Sequence, residues 1–147
     1  MVRIDRLARH VAPRFARRLY AEVGLGIDFT ARDLQREAIA NGWPWTAAKG
    51  FDYSAAVSPQ FLPVSELGDI RQLRFTLEVN GEVRQQGYTG DMIFGVDELL
   101  SRVSRYITYR TGDLLFTGTP AGVGPVRRGD VLRATLEGHE LLNFEIR

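Results

Sequence analysis

Acidic, basic and amide side chains converge in Gly26 to Asp52, GIDFTARDLQREAIANGWPWTAAKGFD, the stretch whose residue types and spacing best suit chemistry. Lys49 stands out by count: the chain has 19 Lys plus Arg, and Lys49 is its one lysine. A guanidinium is effectively never deprotonated, whereas an ammonium is a compact point charge that loses its proton when desolvated, so the two are not interchangeable at a reacting centre. Chance retention in an Arg-rich composition is the competing explanation. Arg32 and Gln35 stand three residues apart at the start of a predicted helix. That position already favours anions through its free N–H groups and dipole. A second candidate is Thr117-Gly-Thr-Pro-Ala-Gly-Val-Gly124, which includes Thr119. A tight loop of this kind exposes N–H and hydroxyl donors suited to a carboxylate or phosphate, although a plain turn also explains its glycines. It lacks the Gly-Lys-Ser/Thr of a P-loop and is not G-x-G-x-x-G. His10 and His139 have weaker claims, the first on a basic face and the second at a predicted turn tip.

These groups need elements to hold them. Alternation predicts a strand over Ala21 to Phe29, with Val23, Leu25, Ile27 and Phe29 on one face and Asp28 on the other, beside Gly24 and Gly26. Asp28 has no evident structural duty there. Thr30-Ala-Arg-Asp33 has capping-box spacing. The helix it opens runs to about Asn41, buries Leu34, Ala38 and Ile39, and ends at Gly42 before Trp43-Pro44-Trp45. Tyr53 to Asp69 reads as a loop that covers the site. Asn80-Gly81 between alternating runs predicts a hairpin over Arg71 to Gln86. Val96, Leu99, Leu100, Val103 and Ile107 fit an amphipathic helix over Val96 to Ile107. A buried strand, Leu114 to Phe116, leads into the Thr-Gly loop, and Val131 to Leu136 with Leu141 to Ile146 form a closing hairpin.

The remaining sequence narrows the class. Met1 to Tyr20 carries Arg3, Arg6, Arg9, Arg14, Arg17 and Arg18 against Asp5 alone. A transit peptide or a nucleic-acid or membrane-surface helix would have such a composition. A solvated basic face on an ordinary helix is favoured, with Val2-Arg3-Ile4 as the tail of a strand. At 147 residues, 44% apolar and 25% charged, the chain is expected to form a single globular domain. The absence of cysteine excludes disulfides, thiol catalysis and Cys-ligated zinc. A net charge of +1 and the lack of a long apolar run predict neither a nucleic-acid nor a membrane partner, and a cytoplasmic setting is expected.

Taken together, Asp28-Phe-Thr-Ala-Arg-Asp-Leu-Gln35, Pro44-Trp45, Lys49-Gly-Phe-Asp52, Val79-Asn-Gly-Glu82, Arg84-Gln85, Asp91-Met-Ile-Phe94, Thr111-Gly-Asp113 and Thr117 to Gly124 resemble the fumarylacetoacetate hydrolase superfamily, in its acylpyruvase and fumarylpyruvate hydrolase branch. The resemblance covers nearly the whole chain from about Tyr20 onward. It implies an α+β, predominantly β fold: a β-roll of mixed strands with a few short helices, usually homodimeric. It also implies one Mg²⁺ or Mn²⁺ chelating a small 2-oxo acid substrate. By position, Asp28 would be a metal ligand, Arg32 and Gln35 would contact the substrate, Lys49 would stabilise an enolate or oxyanion, and Thr119 would bind the substrate carboxylate. The activity implied is metal-dependent cleavage of a carbon–carbon bond in acylpyruvate-like 2,4-dioxo acids. Oxaloacetate decarboxylation and 2-oxo acid isomerisation are alternatives through a similar enolate, and a non-catalytic 2-oxo acid binding or dimerisation fragment is a third. The family's other two ligands come from a His-x-Glu-x-Glu stretch upstream of the aspartate, and this chain contains no Glu-x-Glu. Its water-activating His and Glu likewise have no match, so the chain is expected to be N-terminally incomplete.

Overall fold

A computed structural model describes residues 1–147. In chain order the elements are β1 Val2–Ile4, α1 Pro13–Ala16, β2 Tyr20–Val23, β3 Gly26–Asp28, α2 Arg32–Asn41, α3 Thr46–Lys49, β4 Ala55–Val57, β5 Leu62–Pro63, α4 Val64–Leu67, β6 Arg74–Val79, β7 Glu82–Tyr88, α5 Val96–Val103, β8 Leu114–Leu115, β9 Val131–Leu136 and β10 His139–Glu145. Three sheets result, ordered β5-β2-β1-β8, β10-β9-β6-β7 and β3-β4. The α+β class with short helices is as expected, but every ladder is antiparallel rather than mixed. Hairpins explain two of these pairings directly. Asn80 and Gly81 (φ 54° and 81°) turn β6 into β7, and Glu137 and Gly138 (φ 48° and 81°) turn β9 into β10. His139 therefore opens β10 opposite Leu136 instead of standing at the turn tip.

The chain divides into two compact units, Met1–Leu25 with Ser58–Arg147, and Gly26–Val57. In the larger unit Val2, Ile4, Ala16, Leu19, Tyr20, Val23, Val64, Leu73, Leu100, Tyr109, Leu136 and Leu141 form one buried cluster. Tyr20 is almost fully buried and its hydroxyl donates to Asp97 at 2.9 Å. Burial, reinforced by that carboxylate, pushes the phenol well above its ordinary range.

Several sequence expectations change here. The strand over Ala21 to Phe29 is two strands. At the break, the Leu25 N–H donates to Ser58 Oγ (3.2 Å) and the Ser58 N–H to the Leu25 carbonyl (2.9 Å). Gly24 makes the close approach possible, since a Cβ there would lie 2.7 Å from Ser58 Oγ. No long helix covers the basic N-terminus: β1 takes Val2–Ile4, Ala8 bridges to Tyr109, and Pro13 starts a helix of only 4 residues. Tyr53 to Asp69 is not a plain loop. It contains β4, β5 and α4, ladders too short to leave a readable period, and its Val64 is core. The helix α5 stops at Val103, leaving Ile107 59% exposed. Its buried serines are why: Ser104 Oγ donates to the Ser101 carbonyl and accepts from the Val11 N–H, while Ser101 Oγ donates to the Val11 carbonyl. Strand β8 is partly exposed rather than buried, with Leu114 at 37%.

Candidate functional site

The unit Gly26–Val57 assembles its chemistry around the exit of β3. That strand pairs with β4 in the register Asp28↔Ala55, which leaves Asp28 as its last residue with the carboxylate exposed. Beyond it the Phe29 N–H donates to the Ser54 carbonyl (2.8 Å) and the Ala31 N–H to the Ala48 carbonyl (3.0 Å). The second bond ties the strand exit to α3, where Ala48 is buried and Lys49 is the last residue. Lys49 is therefore brought to Asp28. Its Nζ donates to Asp28 Oδ2 at 2.5 Å and to Thr30 Oγ1 at 2.9 Å.

Two expectations about this stretch are revised. Asp28 does have a structural partner, Lys49. Thr30 is not part of a capping box: the residue preceding α2 is Ala31, no side chain caps the helix, and the Thr30 hydroxyl lies between Lys49 and the Asp28 carbonyl. An ammonium at 2.9 Å offers that hydroxyl a charge-assisted bond, which competes successfully with a neutral helix N–H. Along α2, Ala38 is buried as expected, but Leu34 (43%) and Ile39 (58%) are exposed. Gly42, at φ 66°, ends the helix with its N–H on the Ala38 and Ile39 carbonyls. Arg32 Nη1 donates to Gln35 Oε1 at 2.8 Å.

A lysine ammonium has three N–H donors and no acceptor. Asp28 and Thr30 take two, and the third is free in a side chain that is 32% exposed. The pair thus fixes a positive charge and leaves one donor uncommitted. Such an arrangement can stabilise negative charge developing on an oxygen.

Thr119 lies in the larger unit, on the loop after β8. Gln85 of β7 holds that loop, its Nε2 donating to Thr119 Oγ1 (3.0 Å) and to the Pro120 (2.9 Å) and Ala121 (3.4 Å) carbonyls. Gly122 (φ 97°) presses against the same strand, since a Cβ there would meet the Arg84 carbonyl oxygen at 2.1 Å. Sequence reasoning missed the duties of Thr30 and Gln85. Each acts through a contact whose geometry no periodicity encodes, and only the match of Arg84-Gln85 to a family motif pointed at the second.

Mg²⁺ or Mn²⁺ favours about six oxygen ligands. Asp28 supplies one carboxylate, already paired with an ammonium, and no group of three His, Cys, Asp or Glu side chains comes together to hold a metal. These residues alone do not fit such an ion.

The sequence profile of the family described as fumarylacetoacetate (FAA) hydrolase C-terminal matches residues 1–146. The chain belongs to that family. Mouse mitochondrial oxaloacetate tautomerase is 44% identical over 127 residues, covering 86% of this chain and 57% of the relative. A crystal structure of a fumarylacetoacetate hydrolase family protein from Yersinia pestis superimposes with a TM-score of 0.94 at 42% identity, covering 99% of this chain and 68% of the other. Fumarylpyruvate hydrolase from Pseudomonas aeruginosa, solved with Mn²⁺ and pyruvate, gives 0.91 at 36% identity, covering 99% and 62%. The chain spans about half the length of the curated relatives it matches, for example 53% of a Pyrococcus abyssi protein.

Proposed function

We propose that the chain acts on a small 2-oxo acid through its enolate, and that keto–enol tautomerisation of an oxaloacetate-like acid is the reaction it suits best. The observation carrying this is Lys49, held at 2.5 Å by Asp28 and 2.9 Å by Thr30 with one donor left over. In a tautomerisation the enol oxygen loses its hydrogen, C3 gains one, and nothing else is consumed or released. The intermediate is an enolate whose oxygen carries the charge, which a fixed ammonium stabilises. From the family resemblance, Thr119 of the larger unit is assigned to a carboxylate and, taken separately, Arg32 and Gln35 of the smaller unit to substrate contacts. The 44% identity to a mouse oxaloacetate tautomerase supports the same choice.

A second reading is hydrolysis of the carbon–carbon bond in a 2,4-dioxo acid, as the kinship with the Pseudomonas fumarylpyruvate hydrolase suggests. Hydrolysis also needs an activated water. His10 and His139, the only histidines, are both exposed, and neither belongs to a cluster of ligating side chains. Tautomerisation needs no water, only a proton moved between the enol oxygen and C3. Decarboxylation of oxaloacetate stands beside hydrolysis as a reaction through the same enolate. A divalent ion such as the Mn²⁺ of that relative would need donors besides Asp28. A homodimer is part of the proposal, supported by the exposed Trp43 (56%) and Trp45 (51%).

Substrate profiling tests the choice. The chain is mixed with enol oxaloacetate and separately with an acylpyruvate, with and without Mn²⁺, and loss of enol absorbance is compared with release of pyruvate. Faster enol loss from oxaloacetate with no pyruvate supports tautomerisation. Pyruvate release from the acylpyruvate with no effect on oxaloacetate replaces it by hydrolysis.

A further inference from the structure

We propose that Gln85 sets the polarity of the Thr119 hydroxyl, making it a hydrogen-bond donor reserved for an anionic oxygen. This deepens the reading above and rests on the assignment of Thr119 to the substrate carboxylate.

The amide orientation is decided by its surroundings. The terminal group of Gln85 faces Thr119 Oγ1 at 3.0 Å, the Pro120 carbonyl at 2.9 Å and the Ala121 carbonyl at 3.4 Å. Carbonyl oxygens only accept, so the atom facing them must be the nitrogen; the flipped amide would set oxygen against two oxygens. Nε2 carries hydrogens and no usable lone pair. Toward it Thr119 Oγ1, at 3.0 Å, can only accept, so the hydroxyl keeps its own hydrogen for another partner. A carboxylate is the partner such a hydrogen suits best, because bonds to a charged acceptor are about twice as strong as neutral ones.

The clamp is doubled along β7. Gly122 sits with its α-carbon so near the Arg84 carbonyl that no side chain fits, and the next residue on the strand is Gln85 itself. The loop is thus seated at Arg84 by close approach and at Gln85 by donation. Gln85 itself does not touch substrate. It is a positioning residue acting through Thr119.

Steady-state kinetics of the full chain on enol oxaloacetate, with calorimetric binding of oxalate, tests this. Gln85→Met keeps the length and apolar stem but removes the donor, and Gln85→Glu offers an acceptor that would capture the Thr119 hydrogen. A Thr119 hydroxyl no longer held as donor weakens its hydrogen bond to a charged group, which predicts a KM and an oxalate Kd raised up to about 10-fold in Gln85→Met and further in Gln85→Glu, with kcat within about 2-fold. In a Thr119→Val background Gln85→Met should add less than about 2-fold, because its effect passes through that hydroxyl. Should Gln85→Glu fail to fold, as its melting curve would show, Gln85→Met carries the test. Unchanged KM and Kd in Gln85→Met, a loss confined to kcat, or an undiminished effect in the Thr119→Val background overturns the assignment while leaving the proposed function standing. An unaltered chain that neither turns over oxaloacetate nor binds oxalate overturns both.

Discussion

Lys49 Nζ lies 2.5 Å from Asp28 Oδ2, although the two residues are 21 apart in sequence. A backbone bond between Ala31 and the Ala48 carbonyl draws the end of β3 and the end of α3 together, and these are the residues at those ends. With the lysine side chain 32% exposed and the aspartate 52% exposed, the ion pair contributes at most about 1 kcal/mol to stability. Its larger effect is directional, fixing the ammonium by two of its three donors.

Asp28→Asn should therefore separate stability from activity. The variant should unfold at nearly the denaturant midpoint of the unaltered chain, with a change below about 1 kcal/mol. Its kcat/KM on a 2-oxo acid should fall at least ~100-fold, as when one preorganised charge-stabilising group is lost. Urea titration beside steady-state kinetics checks both, and a stability loss with full activity would refute the directional role.

Thr30→Val asks whether the hydroxyl matters as the second anchor. Removing it leaves the ion pair but frees the ammonium to rotate, and a loss of about 10-fold in kcat/KM is expected, corresponding to one hydrogen bond to a charged group. A loss of helicity with no kinetic effect would instead restore the capping role read from the sequence.

The contrast between those two residues shows how far the sequence could be read. Alternation and turn chemistry found the β6–β7 hairpin, because Asn80-Gly81 has one favoured outcome. Counting found Lys49, because a lone ammonium among guanidiniums is visible without a structure. The break at Gly24-Leu25 was not legible, since it depends on Ser58, a side chain from another part of the chain. Thr30 was misread for a related reason: its local capping pattern was real, but a charged partner from α3 outcompeted it. The serines that end α5 at Val103 look unremarkable in sequence and acquire meaning only when Val11 lies against them.

Gly122→Ala should be severely destabilising. The new Cβ would sit 2.1 Å from the Arg84 carbonyl oxygen at a backbone φ of 97°, so the clash falls on backbone and the conformation is itself strained. A cost of ~2 kcal/mol or more is expected by denaturant unfolding. A near-neutral change would mean the loop does not seat against β7.

Tyr109 offers the opposite sign. Its ring is buried and its hydroxyl has no hydrogen-bond partner. Tyr109→Phe should therefore be neutral or stabilise by about 1 kcal/mol. Burial, helped by the Asp113 carboxylate, pushes the Tyr109 phenol up to about 12 from its ordinary 10.0. A phenol raised in the folded state binds its proton more tightly there than in the unfolded chain. Its contribution is thus complete below pH 10.0 and lost as pH rises through about 12. Denaturation midpoints between those limits should fall less steeply in Tyr109→Phe.

In the proposed reaction Lys49 stabilises the enolate. The most direct measurement is kcat/KM for loss of enol oxaloacetate by the unaltered chain and by Lys49→Ala, each verified as folded. A fall of at least ~100-fold in the variant is the predicted result. Equal rates in the two chains would contradict it.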